Sequence, residues 1–187
     1  MNAFVYVKPQ LNIDFDVDQD GSQPFWYSAR DPRGKGLQPA TLELRAGETL
    51  EVIIRGRALR PSTFVDFTVT EFVLISQPQI DTCDGERVTF SLPSPLGDQS
   101  QACRVVAWSD SPAAALQPAE VTKPVYTKVE KHLAAPLSVG QTNGRWMLRV
   151  MLTVAIQRDA GPASAKRVFS FDVWTNVVGG NGEAETA

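Results

Sequence analysis

Asp16, Asp18 and Asp20 stand at alternate positions immediately before Gly21. This is the D-x-D-x-D-G opening of a calcium loop, in which carboxylates converge on a hard cation and glycine permits the sharp turn. The twelfth position counted from Asp16 is Tyr27, however, rather than a bidentate glutamate. Leu11, Ile13, Phe15 and Val17 also alternate with Asn12, Asp14, Asp16 and Asp18, the pattern of a strand with one apolar and one acidic face. Alternate carboxylates on a strand lie ~6.6 Å apart and do not all reach one ion. A solvated acidic face is the default expectation. A cation held where the strand turns, at Asp18 and Asp20, is the alternative.

His132 is the only histidine, and Cys83 and Cys103 are the only cysteines. A zinc site would have to combine these three with a carboxylate, and the close ligand spacings of structural zinc are absent. A serine or cysteine nucleophile would need the same histidine as its base, with no G-x-S-x-G elbow to present a serine. His132 therefore reads as a surface side chain. Gly34 and Gly36 lie in a basic loop, but no G-x-x-x-x-G-K-[ST] phosphate cradle is present. Any two acids could meet in space as a glycosidase pair, yet the sequence singles out no two. The expectation is no catalytic residue, no cofactor and no metal site beyond the calcium alternative at Asp16, Asp18 and Asp20.

Phe25, Trp26 and Tyr27 place three rings in succession on a short strand, so at least one ring faces opposite to its neighbours. An exposed ring would suit stacking on a sugar face or a protein partner. Core packing is the default for all four tryptophans, with Trp108, Trp146 and Trp174 in strand-like segments; the alternative is an exposed binding platform at Trp26 and Tyr27. Arg55, Arg57, Arg60 and the loop 30–35 concentrate positive charge in acidic surroundings. Solvated loop charge accounts for them, and an acidic partner would also suit.

Strands must position all of these side chains. Residues 41–55 read TLELRAGETLEVIIR, two alternating segments joined through a glycine-containing turn and expected as a hairpin. Gly47 suits the tight connection because it takes positive φ without a Cβ clash. Further strands are expected at 4–8, 11–17, 24–27, 63–75, 88–92, 103–108, 146–156 and 167–178, with 121–133 as an edge strand. Residues 56–61 read as irregular. No long amphipathic helix is evident. About nine or ten strands with closely spaced turn signals predict an all-β, antiparallel β-sandwich, immunoglobulin-like or jelly-roll in character. Residues 1–178 are expected to form one domain, and 179–187 a flexible tail.

A chain of 187 residues with 43% hydrophobic residues can bury a proper core without staples. A net charge of −3 argues against a nucleic-acid backbone binder. No apolar run approaches the ~18–20 residues needed to cross a bilayer, and the N-terminus lacks the charged and apolar regions of a signal peptide. The chain is therefore expected in the cytoplasm, or as a mature form whose signal has been removed, with Cys83 and Cys103 as two thiols. The alternative is a disulfide between them, adding roughly 3 kcal/mol in the chain-entropy model.

The turn Ala46-Gly47-Glu48-Thr49 with its following strand resembles the Gly-Asp-Thr turn and strand of the PixA/AidA type of bacterial inclusion-body proteins. The run from Asn143 through Gly144, Arg145, Trp146, Met147, Leu148 and Arg149 to Val150 is similar to that family's penultimate strand. Phe169, Phe171 and Trp174 resemble its closing aromatic strand, although Trp174-Thr175-Asn176 stands where the family has Trp-Asp-Pro. The resemblance implies a cytoplasmic, non-catalytic β-sandwich that self-associates, and it brings no catalytic residues.

Two functions are therefore expected in order. The first is association with a second copy or another protein through an apolar surface or a strand edge, at 63–75 or 121–129. The second is glycan binding at Trp26 and Tyr27, with calcium near Asp18 and Asp20.

Overall fold

The computed structural model describes residues 8–19, 23–28, 41–79, 94–97, 102–105, 107–110, 126–159 and 165–179. Period-two alternation yields eleven strands among them: β1 (Gln10–Asp16), β2 (Phe25–Ser28), β3 (Leu42–Arg45), β4 (Thr49–Leu59), β5 (Phe64–Pro78), β6 (Ala102–Val105), β7 (Trp108–Asp110), β8 (Tyr126–Leu133), β9 (Leu137–Ser138), β10 (Gly144–Arg158) and β11 (Ala165–Val178). The described residues contain no helix, and so none long and apolar enough to cross a membrane. The described residues are all-β, as expected. The expected strands at 4–8 and 88–92, the Cys83–Cys103 bridge and the tail beyond Gly179 lie outside the described residues, apart from Lys8 and Cys103.

The strands form two open sheets. The first runs β2-β1-β4-β8-β7, with β9 pairing the start of β4, and the second runs β3-β11-β10-β5-β6. A purely antiparallel arrangement was expected, but β1 pairs with β4 in parallel and β3 pairs with β11 in parallel. Both sheets are mixed. The reason lies at the glycine turn. β3 and β4 do not form a hairpin; Ala46 and Gly47 carry the chain from the second sheet into the first. Gly47 takes φ +83°, and the turn is tied to both sides: Ala46 N–H donates to the Val178 carbonyl at 3.0 Å and Gly47 N–H to the Val139 carbonyl at 2.9 Å. Leu42 and Leu44 thus enter the core from one sheet, and Leu50, Val52 and Ile54 from the other. Alternation alone does not distinguish this from a hairpin, because each strand has the same single apolar face in both cases.

One hydrophobic cluster draws on both sheets. Phe15 of β1 meets Phe67 of β5 edge-on, with centroids 5.1 Å apart, and lies 5.6 Å from Phe169 of β11. Gly56 leaves the room for this. A Cβ there would stand 3.0 Å from Phe64 Cζ and 3.1 Å from both Phe15 Cζ and Phe67 Cδ1. β4 therefore continues through Gly56 to Leu59 where irregular chain was expected, with Ala58 as its next buried position. Trp146 is buried, and the half-buried Trp108 packs edge-on against Phe72 at 5.3 Å.

The expected single strand over 103–108 is two strands. β6 belongs to the second sheet and β7 to the first, so this segment passes between the sheets at one border. There Lys131, on the inward side of β8, reaches Asp66 of β5 at 2.9 Å and Asp110 of β7. Its ammonium also lies 5.7 Å from the centroid of the Phe67 ring. Burial works to lower the Lys131 pKa, but hydrogen bonds to Asp110 and Asp66 outweigh it and raise the pKa. A charge aimed inward next to the border of a sheet also discourages pairing with foreign strands.

Candidate functional site

β1, β2, β4 and β8 align their outward side chains in rows across the first sheet. Register places Phe25, Asp14, Arg55 and Glu130 in one row, and Tyr27, Asn12, Ile53 and His132 in the next. Arg55 joins the two rows. Its Nε donates to Glu130 Oε1 at 2.6 Å, and its Nη1 donates to Asn12 Oδ1 at 2.9 Å and to the Tyr27 hydroxyl oxygen at 2.5 Å. Burial acts to raise the Glu130 pKa, but the Arg55 hydrogen bond and charge prevail and lower it. His132 Nε2 lies 3.5 Å from Glu130 Oε2, and the ring is half-buried.

Asp14 is held differently. It is 8% exposed, its Oδ1 lies 3.6 Å from Arg55 Nη1, and its Oδ2 lies 3.6 Å from Arg57 Nη1. These are charge contacts beyond hydrogen-bond length, and Oδ1 has no hydrogen-bond partner among the described residues. Burial raises the Asp14 pKa by more than Arg55 and Arg57 lower it. Burial also raises the Tyr27 pKa, with the Asp14 charge adding to the effect. The expected solvated acidic face is thus corrected over its first half. β1 lies between β2 and β4, and Asn12 and Asp14 are buried.

At the other end of β1 the acidic side chains turn outward. Asp16 Oδ1 accepts the Asp18 N–H at 2.9 Å, and Asp18 Oδ1 accepts from Arg158 Nη1 at 3.2 Å. Arg167 donates to the main-chain carbonyls of Asp16 at 2.6 Å, Val17 at 2.8 Å and Gln19 at 3.2 Å. Arg158 also donates to Val17 O, at 3.2 Å. The Asp18 carboxylate and the main-chain carbonyls of Asp16, Val17 and Gln19 thus face two guanidinium groups. Asp16 and Asp18 are brought together, Asp20 lies outside the described residues, and no group of three metal-ligating side chains occurs among the described residues.

Of the expected platform, Tyr27 faces outward and Trp26 inward. Trp26 is opposite Ile13 in the register and packs against the core, half-buried. The outward pair is Phe25, 50% exposed, and Tyr27, with ring centroids 5.8 Å apart and planes tilted by 32°. A short strand shows its partner's parity, and here β1 decides it.

The outer face of the second sheet exposes several large apolar side chains that the residue types alone do not announce. Val168, Trp174 and Met151 are exposed by 70%, 45% and 39%. Register sets Trp174 opposite Met147, Asp172 opposite Arg149, Ser170 opposite Met151 and Val168 opposite Thr153. Ile75 and Val73 continue two of these rows on β5. Arg149 pairs with Asp172 across β10 and β11, at 2.9 Å and 3.2 Å, and hydrogen bonding to Arg149 lowers the Asp172 pKa. Trp174 was assigned to the core, but it shares parity with Ser170, Asp172 and Asn176, while Phe169, Val173 and Val177 are the buried set. That parity was the available signal.

The expected edges also acquire neighbours. β5 pairs with β10 along its length and with β6 over residues 72–75, and β8 lies between β4 and β7. Comparison with protein-family models, curated proteins and solved structures finds no match.

Proposed function

We propose that this chain is a non-enzymatic β-sandwich that associates with protein through the outer face of its second sheet. The observation that carries this is the exposure of Val168, Trp174 and Met151 on outward positions of two paired strands. Large apolar side chains exposed on one sheet face mark interaction sites, and tryptophan is enriched among the residues that anchor such sites. The charged groups of the first sheet support the non-enzymatic part, because Arg55 and Glu130 are engaged with each other and with Asn12 and Tyr27. Association is also what the likeness to PixA/AidA-type inclusion-body proteins of the bacterial cytoplasm implies. Light scattering over a concentration series tests the reading. Mass is expected to rise with concentration for the native chain, and less so for Trp174→Lys. A strict monomer at every concentration, with no difference between the two chains, counts against it.

The second reading, glycan binding, is favoured by one observation. Phe25 and Tyr27 present tilted rings beside Asn12 and Arg55, an apolar patch next to polar groups as sugar recognition requires. A glycan array with and without chelator, comparing the native chain with Phe25→Ala, tests it. No binding under either condition removes it.

A further inference from the structure

We infer that the first sheet binds a neutral sugar at the β2 side of its polar layer, with Phe25 under the sugar ring and two adjacent hydroxyls bridging Asp14 and Arg57. The inference rests on the glycan reading above and adds to it the class of sugar and the residues that select it.

The polar layer is complete around Arg55 and incomplete beside it. Arg55 donates to Glu130, Asn12 and Tyr27, and its guanidinium carbon lies 5.9 Å from the Tyr27 ring centroid. Tyr27 is thereby engaged at its hydroxyl and at its ring. Asp14 is not engaged in this way. It is 8% exposed, and its Oδ1 accepts no hydrogen bond among the described residues. A buried carboxylate oxygen without a donor carries a desolvation cost that a donor from a ligand offsets. Asp14 Oδ2 and Arg57 Nη1 stand 3.6 Å apart, too far for a hydrogen bond to each other. An acceptor and a donor are thus held side by side. Phe25 lies directly opposite Asp14 in the register and is 50% exposed.

These three residues set the chemistry of the ligand. A hydroxyl both donates and accepts, so two hydroxyls on neighbouring ring carbons satisfy a carboxylate and a guanidinium together. One donates to Asp14 and the other accepts from Arg57. The C–H face of the same sugar ring is the apolar surface that an exposed aromatic ring stacks on. Charge selects a neutral sugar. Asp16 stands opposite Arg57, and Arg57 opposite Lys128. A carboxylated sugar approaching Arg57 therefore meets Asp14 and Asp16, and an amino sugar approaching Asp14 meets Arg57 and Lys128. The contact needs no calcium, since its partners are a carboxylate, a guanidinium and a ring. The Arg55 cluster keeps its hydrogen bonds with the sugar beside it, so no paired charge is stripped of its partner.

The test is calorimetric titration of the full chain with a panel of neutral, uronic-acid and amino-sugar oligosaccharides, each with and without EDTA. The native chain is expected to bind neutral members of the panel, unchanged by EDTA. Phe25→Ala and Arg57→Met should each weaken binding by about tenfold or more, the worth of a hydrogen bond to a charged group in the second case. Deoxy analogues of the bound sugar, lacking one hydroxyl of the pair, should bind the native chain more weakly by a similar factor. The analogue that lacks the hydroxyl facing Arg57 should lose nothing further in Arg57→Met, as a direct pairing requires. Circular dichroism checks that both variants keep their strand content, and the deoxy series on the native chain needs no variant at all. If neutral sugars bind and Phe25→Ala abolishes binding, but Arg57→Met and the deoxy analogues leave it unchanged, the hydroxyl bridge is wrong while the aromatic platform survives. If only charged sugars bind, or binding needs calcium, selection by charge is wrong while glycan binding survives. If no member of the panel binds, the glycan reading and this inference fall together.

Discussion

The outer faces of the two sheets are made from similar strands and solve opposite problems. On the first sheet, outward carboxylates, an amide, a phenol and guanidinium groups cross-link into a layer gathered by Arg55. Side chains of that layer cover one another, so even Asp14 and Ile53 are at least nine-tenths buried. On the second sheet the outward rows of β10 and β11 set Met147, Met151, Val168 and Trp174 among Thr153, Ser170 and the Arg149–Asp172 pair, and Met151, Val168 and Trp174 remain open to water. A polar layer satisfied by its own members gives little reason for a partner to displace it, because desolvating paired charges is costly. An apolar layer left exposed lowers its free energy when something covers it. The difference separates a face that stabilises the fold from one suited to association.

The largest expected effect comes from breaking the polar layer at its hub. Arg55→Met leaves Glu130 without its short hydrogen bond and Asp14 facing Arg57 alone, so about 3 kcal/mol of stability should be lost in urea or guanidinium titration. A loss under ~0.5 kcal/mol would make the polar layer ornamental and void the contrast. Next is the border where β5, β7 and β8 meet. Removing both acids with Asp66→Asn and Asp110→Asn leaves the Lys131 ammonium buried without a counter-charge, at an expected cost of about 2 kcal/mol, reduced from the fully buried case because both acids are partly exposed. Lys131→Met should cost clearly less, since it strands only those exposed acids. If Lys131→Met proves the worse of the two, Lys131 acts through packing rather than charge.

Asp14 gives a smaller effect of opposite sign. A carboxyl whose pKa is raised by folding binds its proton more tightly in the native state, so its ionised form works against folding above that pKa. Stability on this account rises as pH falls from 7 toward the unfolded carboxylate range, where the raised group protonates first. Asp14→Asn should therefore stabilise the chain at pH 7, on the order of 1 kcal/mol, and the gain should shrink on acidification. Melting temperatures of both chains between pH 4 and 7 check this, and a gain that grows toward acid would reverse the assignment. The smallest expected effect on stability is on the apolar face. Val168→Asp and Trp174→Lys should change the unfolding free energy of the monomer by no more than ~0.5 kcal/mol while abolishing association. A large loss of monomer stability would show that these side chains pack within the fold after all.

How much of this was legible follows from particular residues. Leu11, Ile13, Phe15 and Val17 announced a strand and its buried face, and all four are buried. The apolar run from Trp146 to Ile156 and the closing aromatic strand pair as read, antiparallel over residues 144–156 with 165–177. Gly47 was placed in its turn, but not the change of sheet that the turn makes. Arg55 read as one of several basic residues near a loop. Its role depends on Asn12, Tyr27 and Glu130, which come from three other strands at 43, 28 and 75 residues' separation. Trp26 packs against the core, in line with the default for tryptophan, whereas Trp174 faces outward, since strand parity overrides hydrophobicity there; for the four-residue β2, parity is set by its neighbour.

Composition and period two were enough to specify an all-β chain, the apolar side of each long strand and the position of the glycine turn, because these depend on backbone geometry and on neighbours two residues away. Which strands pair in parallel, which acid loses its water, which arginine gathers the polar layer and which tryptophan stays wet were decided only in three dimensions. Register and burial are properties of strands laid side by side. A single-residue shift in that register would exchange the two faces of every strand it touched.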